Sequence, residues 1–291
     1  MKSLTLALIG ALFALACRAE VSALDDSGRR VTLASPATRV ISLAPHLTEL
    51  AFAIGAGDAV KGVIRFSDHP VAARGLPVVG DAFALNFETI ARLKPDLILV
   101  WGSGLSERHK ARLRALGLTL FESEIRTPEA IADTMQRLGI LLGQGTEATQ
   151  AAAGFEQAWQ ALRERHAGKP PVRVFWQLWS EPLMTVNREH LIGKAIAVCG
   201  GTNVFAELPL LTPTVAWEAA VAADPQLIVG SGGAQDSEQD FARWRRFPQV
   251  SAVRRQQLAR VDGDLIGRMG PRFVQGAATL CEAVDRARKG P

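Results

Sequence analysis

The chain has 291 residues, of which 48% are hydrophobic and 21% charged, with a formal net charge of +4. That length holds about two domains, and the composition excludes an intrinsically disordered or collagen-like chain. The basic excess is slight and dispersed, and its densest group, Arg243, Arg245 and Arg246, reads as a solvated helix face, so no nucleic-acid partner is expected.

Met1-Lys2-Ser3 and the apolar run from Leu4 to Ala16 have the layout of a secretory signal, with cleavage after Ala19 or Ala23. Residues 1–23 are therefore assigned to a leader, whose apolar run is too short for a permanent membrane span. Ala14-Leu15-Ala16-Cys17 partly resembles a lipid-attachment site, but Ala14 stands where leucine is usual. Export without a lipid anchor at Cys17 is the expectation.

Val21 to Leu33 reads as a hairpin about the turn-forming cluster Asp25-Asp26-Ser27-Gly28. Arg39 to Ala44 is a buried strand ended by Pro45, Thr48 to Ile54 is helical, and Val60 to Ile64 is a second strand. A helix and the strand Leu97 to Trp101 follow a loop through Asp68, His69 and Pro70. Glu107 to Leu116, ending at Gly117, reads as a helix, Leu118 to Phe121 as a strand and Pro128 to Leu142 as a helix. Such alternation predicts a mostly parallel sheet flanked by helices over residues 24–143.

Thr146 to His166 is rich in Ala, Gln, Glu and Arg and predicts one long stiff helix, which assigns residues 144–168 to a strut between lobes. Alternation then resumes over residues 169–291: a strand from Val172 to Leu178, a helix near Leu191 to Val198, a last strand from Gln257 to Val261, and a final helix from about Pro271 to Arg288. The fold class is thus α/β, with two lobes joined by one long rigid helix.

Two stretches follow one template. Glu88-Thr-Ile-Ala-Arg-Leu-Lys-Pro95 and Glu218-Ala-Ala-Val-Ala-Ala-Asp-Pro225 each lead into a short apolar strand. One α/β unit used twice offers a cleft between lobes and a matched pair of exposed carboxylates, which points to binding and docking.

No catalytic motif is present: there is no G-x-S-x-G, Walker loop, H-E-x-x-H or C-x-x-C, and the five histidines are scattered without metal-ligand spacing. Neither an enzyme nor a resident cofactor is expected. Ligands of open α/β sheets bind at the carboxyl ends of strands, which singles out His46, Phe66, Ser67, Asp68 and Trp101 in the first lobe. In the second, the same rule singles out Trp179, Asp264 and Arg268, while Trp176 reads as core. Without the leader, Cys199 and Cys281 remain, either paired in an oxidising compartment or separate as buried thiols.

Arg39-Val-Ile-Ser-Leu-Ala-Pro-His-Leu-Thr-Glu49, Phe66-Ser-Asp-His-Pro70, the Glu88 to Val100 segment, Val198-Cys-Gly-Gly201 and Gly270-Pro-Arg-Phe273 together resemble the periplasmic cobalamin-binding proteins of bacterial vitamin ABC importers. The resemblance spans Leu24 to about Arg288 and implies a monomeric periplasmic carrier that delivers a corrinoid to a dimeric permease in the inner membrane. It implies that Glu88 and Glu218 meet arginines on that permease, and that Cys199 and Cys281 form a disulfide. It also implies that Asp264 and Arg268 contact the corrin amides, that Trp101 forms an aromatic wall, and that the loop of Phe66 to Asp68 faces the ligand. Phe66 stands where the family has tyrosine, Phe83 lies beside Ala82 where an aromatic is expected, and Thr212 replaces another. Related carriers of this architecture take haem or ferric siderophores, which makes those the rival ligands; an extracytoplasmic enzyme is the remote one. His46, as a neutral imidazole at a strand end, is the candidate axial cobalt ligand.

Overall fold

The computed structural model describes residues 20–232 and 241–290; the apolar leader run and Cys17 lie outside them. β1 (Val21–Leu24) and β2 (Arg30–Leu33) form the expected antiparallel hairpin, in register Val21 to Leu33. Asp25 Oδ1 closes its turn by accepting from the Ser27 and Arg29 amides at 3.0 and 2.9 Å. The strand incorporates Val21, Ser22 and Ala23, with Ala23 buried, so a leader boundary after Ala23 would strip three paired residues from it. Cleavage after Ala19, the other expected position, would leave the strand whole.

The first lobe continues with β3 (Val40–Ser42), α1 (Pro45–Ala53), β4 (Val60–Val63), α2 (Phe87–Arg92), β5 (Leu97–Trp101), α3 (Glu107–Ala115), β6 (Leu120–Ser123) and α4 (Pro128–Leu142). Its four strands are parallel, in the order β4-β3-β5-β6. α1 starts at Pro45, three residues before the expected Thr48, because proline at the first helical position forfeits no helix hydrogen bond. His46 therefore belongs to a helix rather than to a strand-end loop.

α5 (Gly145–His166) is the expected strut, 22 residues long and about 33 Å at 1.5 Å per residue. Ala148, Ala152, Phe155, Trp159, Leu162 and His166 make its buried stripe, at the alternating spacing of four and three that keeps residues on one helical face. The stripe packs on α4, where Gly139 admits Ala148: a Cβ at Gly139 would lie 2.3 Å from the Cβ of Ala148.

The second lobe contains β7 (Val172–Gln177), the short hairpin β8 (Trp179–Ser180) and β9 (Leu183–Met184), α6 (Leu191–Val198), β10 (Gly201–Asn203), α7 (Trp217–Ala222) and β11 (Leu227–Ser231). α8 (Ser251–Arg254), β12 (Leu258–Val261), α9 (Gly263–Ile266) and α10 (Phe273–Lys289) complete it. Its parallel sheet has the order β10-β7-β11-β12, the same 2-1-3-4 arrangement as the first lobe. Trp159 of α5 packs on Phe273 of α10 with ring centroids 5.8 Å apart, and one continuous core runs from Leu47 and Leu99 through α5 to Trp176 and Leu280. The lobes are thus packed together along the strut as well as covalently linked. A disulfide joins Cys199, at the end of α6, to Cys281 in α10.

The repeated template folds the same way twice. α2 and α7 are each six residues long, and Lys94 and Asp224 before the two prolines both take a left-handed conformation, with φ of 47° and 42°. Each turn is clamped by an arginine, Arg39 just before β3 and Arg173 in β7. Arg39 Nη2 donates to the Leu93 carbonyl at 2.6 Å, and Arg173 Nη2 to the Asp224 carbonyl at 2.7 Å. The backbone amides of the same arginines donate to Asp96 at 3.0 Å and to Gln226 at 2.9 Å.

Candidate functional site

In the strand order β4-β3-β5-β6 the chain reverses its direction of travel across the sheet between β3 and β5, which opens a crevice at the carboxyl ends of those strands. Trp101 ends β5 at that crevice. Its indole packs against Gly104, where a Cβ would come within 2.0 Å of the ring, so only glycine admits this pose. A cavity of about 340 Å³ opens between the lobes here, within the size range of small-molecule sites. Trp101, Glu124 and Arg126 line it from the first lobe, and His190, Leu211, Thr212 and Met269 from the second. Aromatic and aliphatic walls with a few charged groups suit an amphiphilic ligand.

His46 does not reach this cavity surface. It is 3% exposed, packs edge-on against Trp101 with ring centroids 5.7 Å apart, and its Nε2 is sealed from solvent with no hydrogen-bond partner. Burial lowers its pKa to about 3, so the ring is neutral. Starting α1 at Pro45 places the imidazole, the expected axial cobalt ligand, behind Trp101. His190, which the sequence reading passed over, occupies the cavity wall instead. Its Nδ1 accepts from the Ile192 amide at 3.1 Å as the N-cap of α6, which in the neutral ring leaves the proton on Nε2. Burial lowers its pKa to about 4. The signal for it was its place immediately before the apolar run Leu191–Val198.

Phe66 has φ of 68° and is 71% exposed. Phe83 is 90% exposed at the tip of a turn in which Asp81 Oδ1 accepts from the Phe83 and Ala84 amides at 3.0 and 2.9 Å. Those two hydrogen bonds hold the Asp81 carboxyl below its usual pKa. Ser67 is buried, and its hydroxyl lies 3.2 Å from that of Thr48. Trp179 lies on the β8–β9 hairpin, outside the residues that line the cavity, and donates its indole N–H to the Glu181 carbonyl at 3.0 Å.

Asp68, Asp264 and Arg268 do come together. Arg268 Nη1 lies 2.8 Å from Asp68 Oδ1 and 3.1 Å from Glu49 Oε1, and its Nη2 lies 2.8 Å from Asp264 Oδ1. Arg272 donates to both Glu49 oxygens, at 2.9 and 2.7 Å. Asp68 and Glu49 belong to the first lobe and both arginines to the second, so the cluster ties the lobes beside the cleft. Burial alone would lower the Arg268 pKa, but the hydrogen bonds it donates to Asp68 and Glu49 outweigh it and raise the value. Asp68 is likewise held low by Arg268 against a desolvation that pushes up. Glu49 and Arg272 were missed as site residues, although both lie in segments that carried the family resemblance. Glu49 was the stronger clue, a carboxylate within the apolar run Leu47 to Phe52.

Glu88 and Glu218 sit in the first turns of α2 and α7, exposed, with no ion-pair partner among the described residues. No group of three or more His, Cys, Asp or Glu among the described residues is arranged to hold a metal ion. Nor is any described helix long and apolar enough to cross a membrane.

The family described as periplasmic binding protein matches residues 40–265. The vitamin B12-binding protein of Vibrio cholerae serotype O1 (strain ATCC 39541) is 35% identical over 254 residues, covering 87% of this chain and 91% of that protein. Its counterpart in Yersinia pestis (strain Pestoides F) is 36% identical over 249 residues, covering 86% and 87%. The crystal structure of the Vibrio cholerae periplasmic vitamin B12-binding protein superposes with a TM-score of 0.79 over 87% of this chain and 99% of that one, at 35% identity. A periplasmic haem-binding protein from Pseudomonas aeruginosa shares the fold, with a TM-score of 0.76 at 23% identity over 85% of this chain and 92% of that one.

Proposed function

Because this chain belongs to the periplasmic binding protein family, we propose that it is an exported carrier that captures a corrinoid, cobalamin itself, between its lobes. It then delivers the ligand to a dimeric ABC permease in the inner membrane. The observation that carries this reading is the interlobe cavity at the first lobe's crevice, walled by Trp101 and lined by Gly267 and Met269, the residues on either side of Arg268. A corrin ring has broad apolar faces and a rim of amides; the aromatic wall suits the faces, and Asp264, Arg268 and the His190 N–H suit the rim. Capture and release make and break no bond, which fits a cleft whose polar groups are committed to one another rather than to a nucleophile and base.

The monomer acts in the periplasm without a lipid anchor. Haem is the weaker reading: the haem-binding relatives share the fold at low identity, the chain has no tyrosine, and His46 is sealed behind Trp101. A ferric siderophore would need free cleft cations, whereas Arg268 and Arg272 are engaged by carboxylates.

Calorimetric titration of the purified mature chain with cyanocobalamin, cobinamide and haemin tests this. The expected outcome is one-to-one binding of cyanocobalamin with no heat from haemin. Saturable haemin binding without corrinoid binding would overturn it.

A further inference from the structure

Each docking carboxylate follows an aromatic residue, and each aromatic carries an arginine on its face. In the first lobe Phe87 precedes Glu88 in α2, and the Arg112 guanidinium lies 4.0 Å from the Phe87 ring centroid. In the second, Trp217 precedes Glu218 in α7, and the Arg243 guanidinium lies 4.4 Å from the Trp217 ring centroid. The two arginines come from equivalent places, Arg112 between β5 and β6 and Arg243 between β11 and β12, the third and fourth strands of matching sheets. Both are exposed. Among the described residues Arg112 has no carboxylate partner and Arg243 has one, the solvent-exposed Glu181 at 3.6 Å.

We propose that Arg112 and Arg243 are the second half of each docking point, so that the partner surface carries a cation and a carboxylate at each of two positions. The proposal rests on the reading of Glu88 and Glu218 as docking residues. A guanidinium stacked on a ring is held in orientation while the N–H groups along its edge stay free for a carboxylate, in the planar two-bond geometry an ammonium cannot copy. A bare carboxylate would attract any basic surface; a carboxylate beside an arginine repels one that is wholly basic. Two such mixed points, set on lobes packed along one strut, select a two-fold partner and its orientation.

The test measures binding of the corrinoid-loaded protein to the corrinoid permease of the same cell, reconstituted in nanodiscs, alongside corrinoid affinity and melting temperature. Arg112→Gln with Arg243→Gln should weaken permease binding about tenfold, the size expected for truncated interfacial charges, and leave corrinoid affinity and melting temperature unchanged. Arg112→Lys with Arg243→Lys should restore that binding only in part. Wild-type permease binding by the Gln pair, with binding lost in Glu88→Lys and Glu218→Lys, would overturn the proposal and leave the arginines as covers for their rings. Normal binding by the Glu→Lys pair would remove the docking reading itself, and the proposal with it.

Discussion

Glu49 lies with 1% of its side chain exposed between Arg268 and Arg272, and its two oxygens accept three charge-assisted hydrogen bonds. Removing one partner from a buried ion cluster leaves the remaining charges desolvated and unpaired, at a cost of about 3 kcal/mol or more. Glu49→Ala should therefore lower the unfolding free energy by about 3 kcal/mol, read from urea denaturation. An unchanged midpoint would show that Asp68 and Asp264 suffice to hold both arginines. The carboxylate itself was visible in the sequence as an acid in an apolar run. Its partners were not, because they lie more than two hundred residues further along the chain, and periodicity carries no information at that range.

Among the elements, α4 and α5 pack against each other through Gly139 and Ala148, and the missing side chain of Gly139 allows that approach. A valine there would thrust its Cβ against the Ala148 methyl and to within 3.1 Å of the Gln144 carbonyl. Gly139→Val is expected to cost about 1–3 kcal/mol by overpacking, measured as a lower urea midpoint; wild-type stability would mean that the two helices can separate freely. The sequence showed α5 almost to the residue, because a long run without proline and with an apolar stripe has few competing conformations. It misjudged the start of α1, where Pro45 reads equally as a strand stop or a helix first turn. It gave no sign of the β8–β9 hairpin, whose strands have two residues each. Nor did it distinguish Arg243 from a solvated charge, since only the fold brings Trp217 beneath it.

At the scale of the whole molecule, acid should unfold this protein earlier than its carboxylates alone would. His46 and His190 have pKa values lowered by burial to about 3 and about 4, whereas in the unfolded chain a histidine titrates near 6.5. As pH falls below about 6.5 the unfolded chain takes up protons that the folded one refuses, so stability drops by about 1.4 kcal/mol per pH unit for each histidine until the folded-state values are reached. Asp68, Asp81, Asp224 and Asp285, all held below their ordinary pKa, add loss of the same sign in stronger acid. Unfolding free energies followed from about pH 6.5 down to about 4 should show this slope, and His46→Phe should roughly halve it. A slope unaffected by that substitution would mean that His46 titrates as a solvated histidine.

The amino-acid sequence by itself determined the two-lobed α/β plan, the strut, the duplicated Glu-x6-Pro unit and the family, because local periodicity, turn chemistry and short motifs act over a few residues at a time. Tertiary structure alone decided which polar groups face the cleft. It buried His46 and Ser67, placed Trp179 outside the cavity, brought His190 into its wall, and closed Glu49, Asp68, Asp264, Arg268 and Arg272 into one charge cluster. Those outcomes depend on helix start points and on contacts between distant segments, where a shift of a few residues turns a side chain from the cavity into the core.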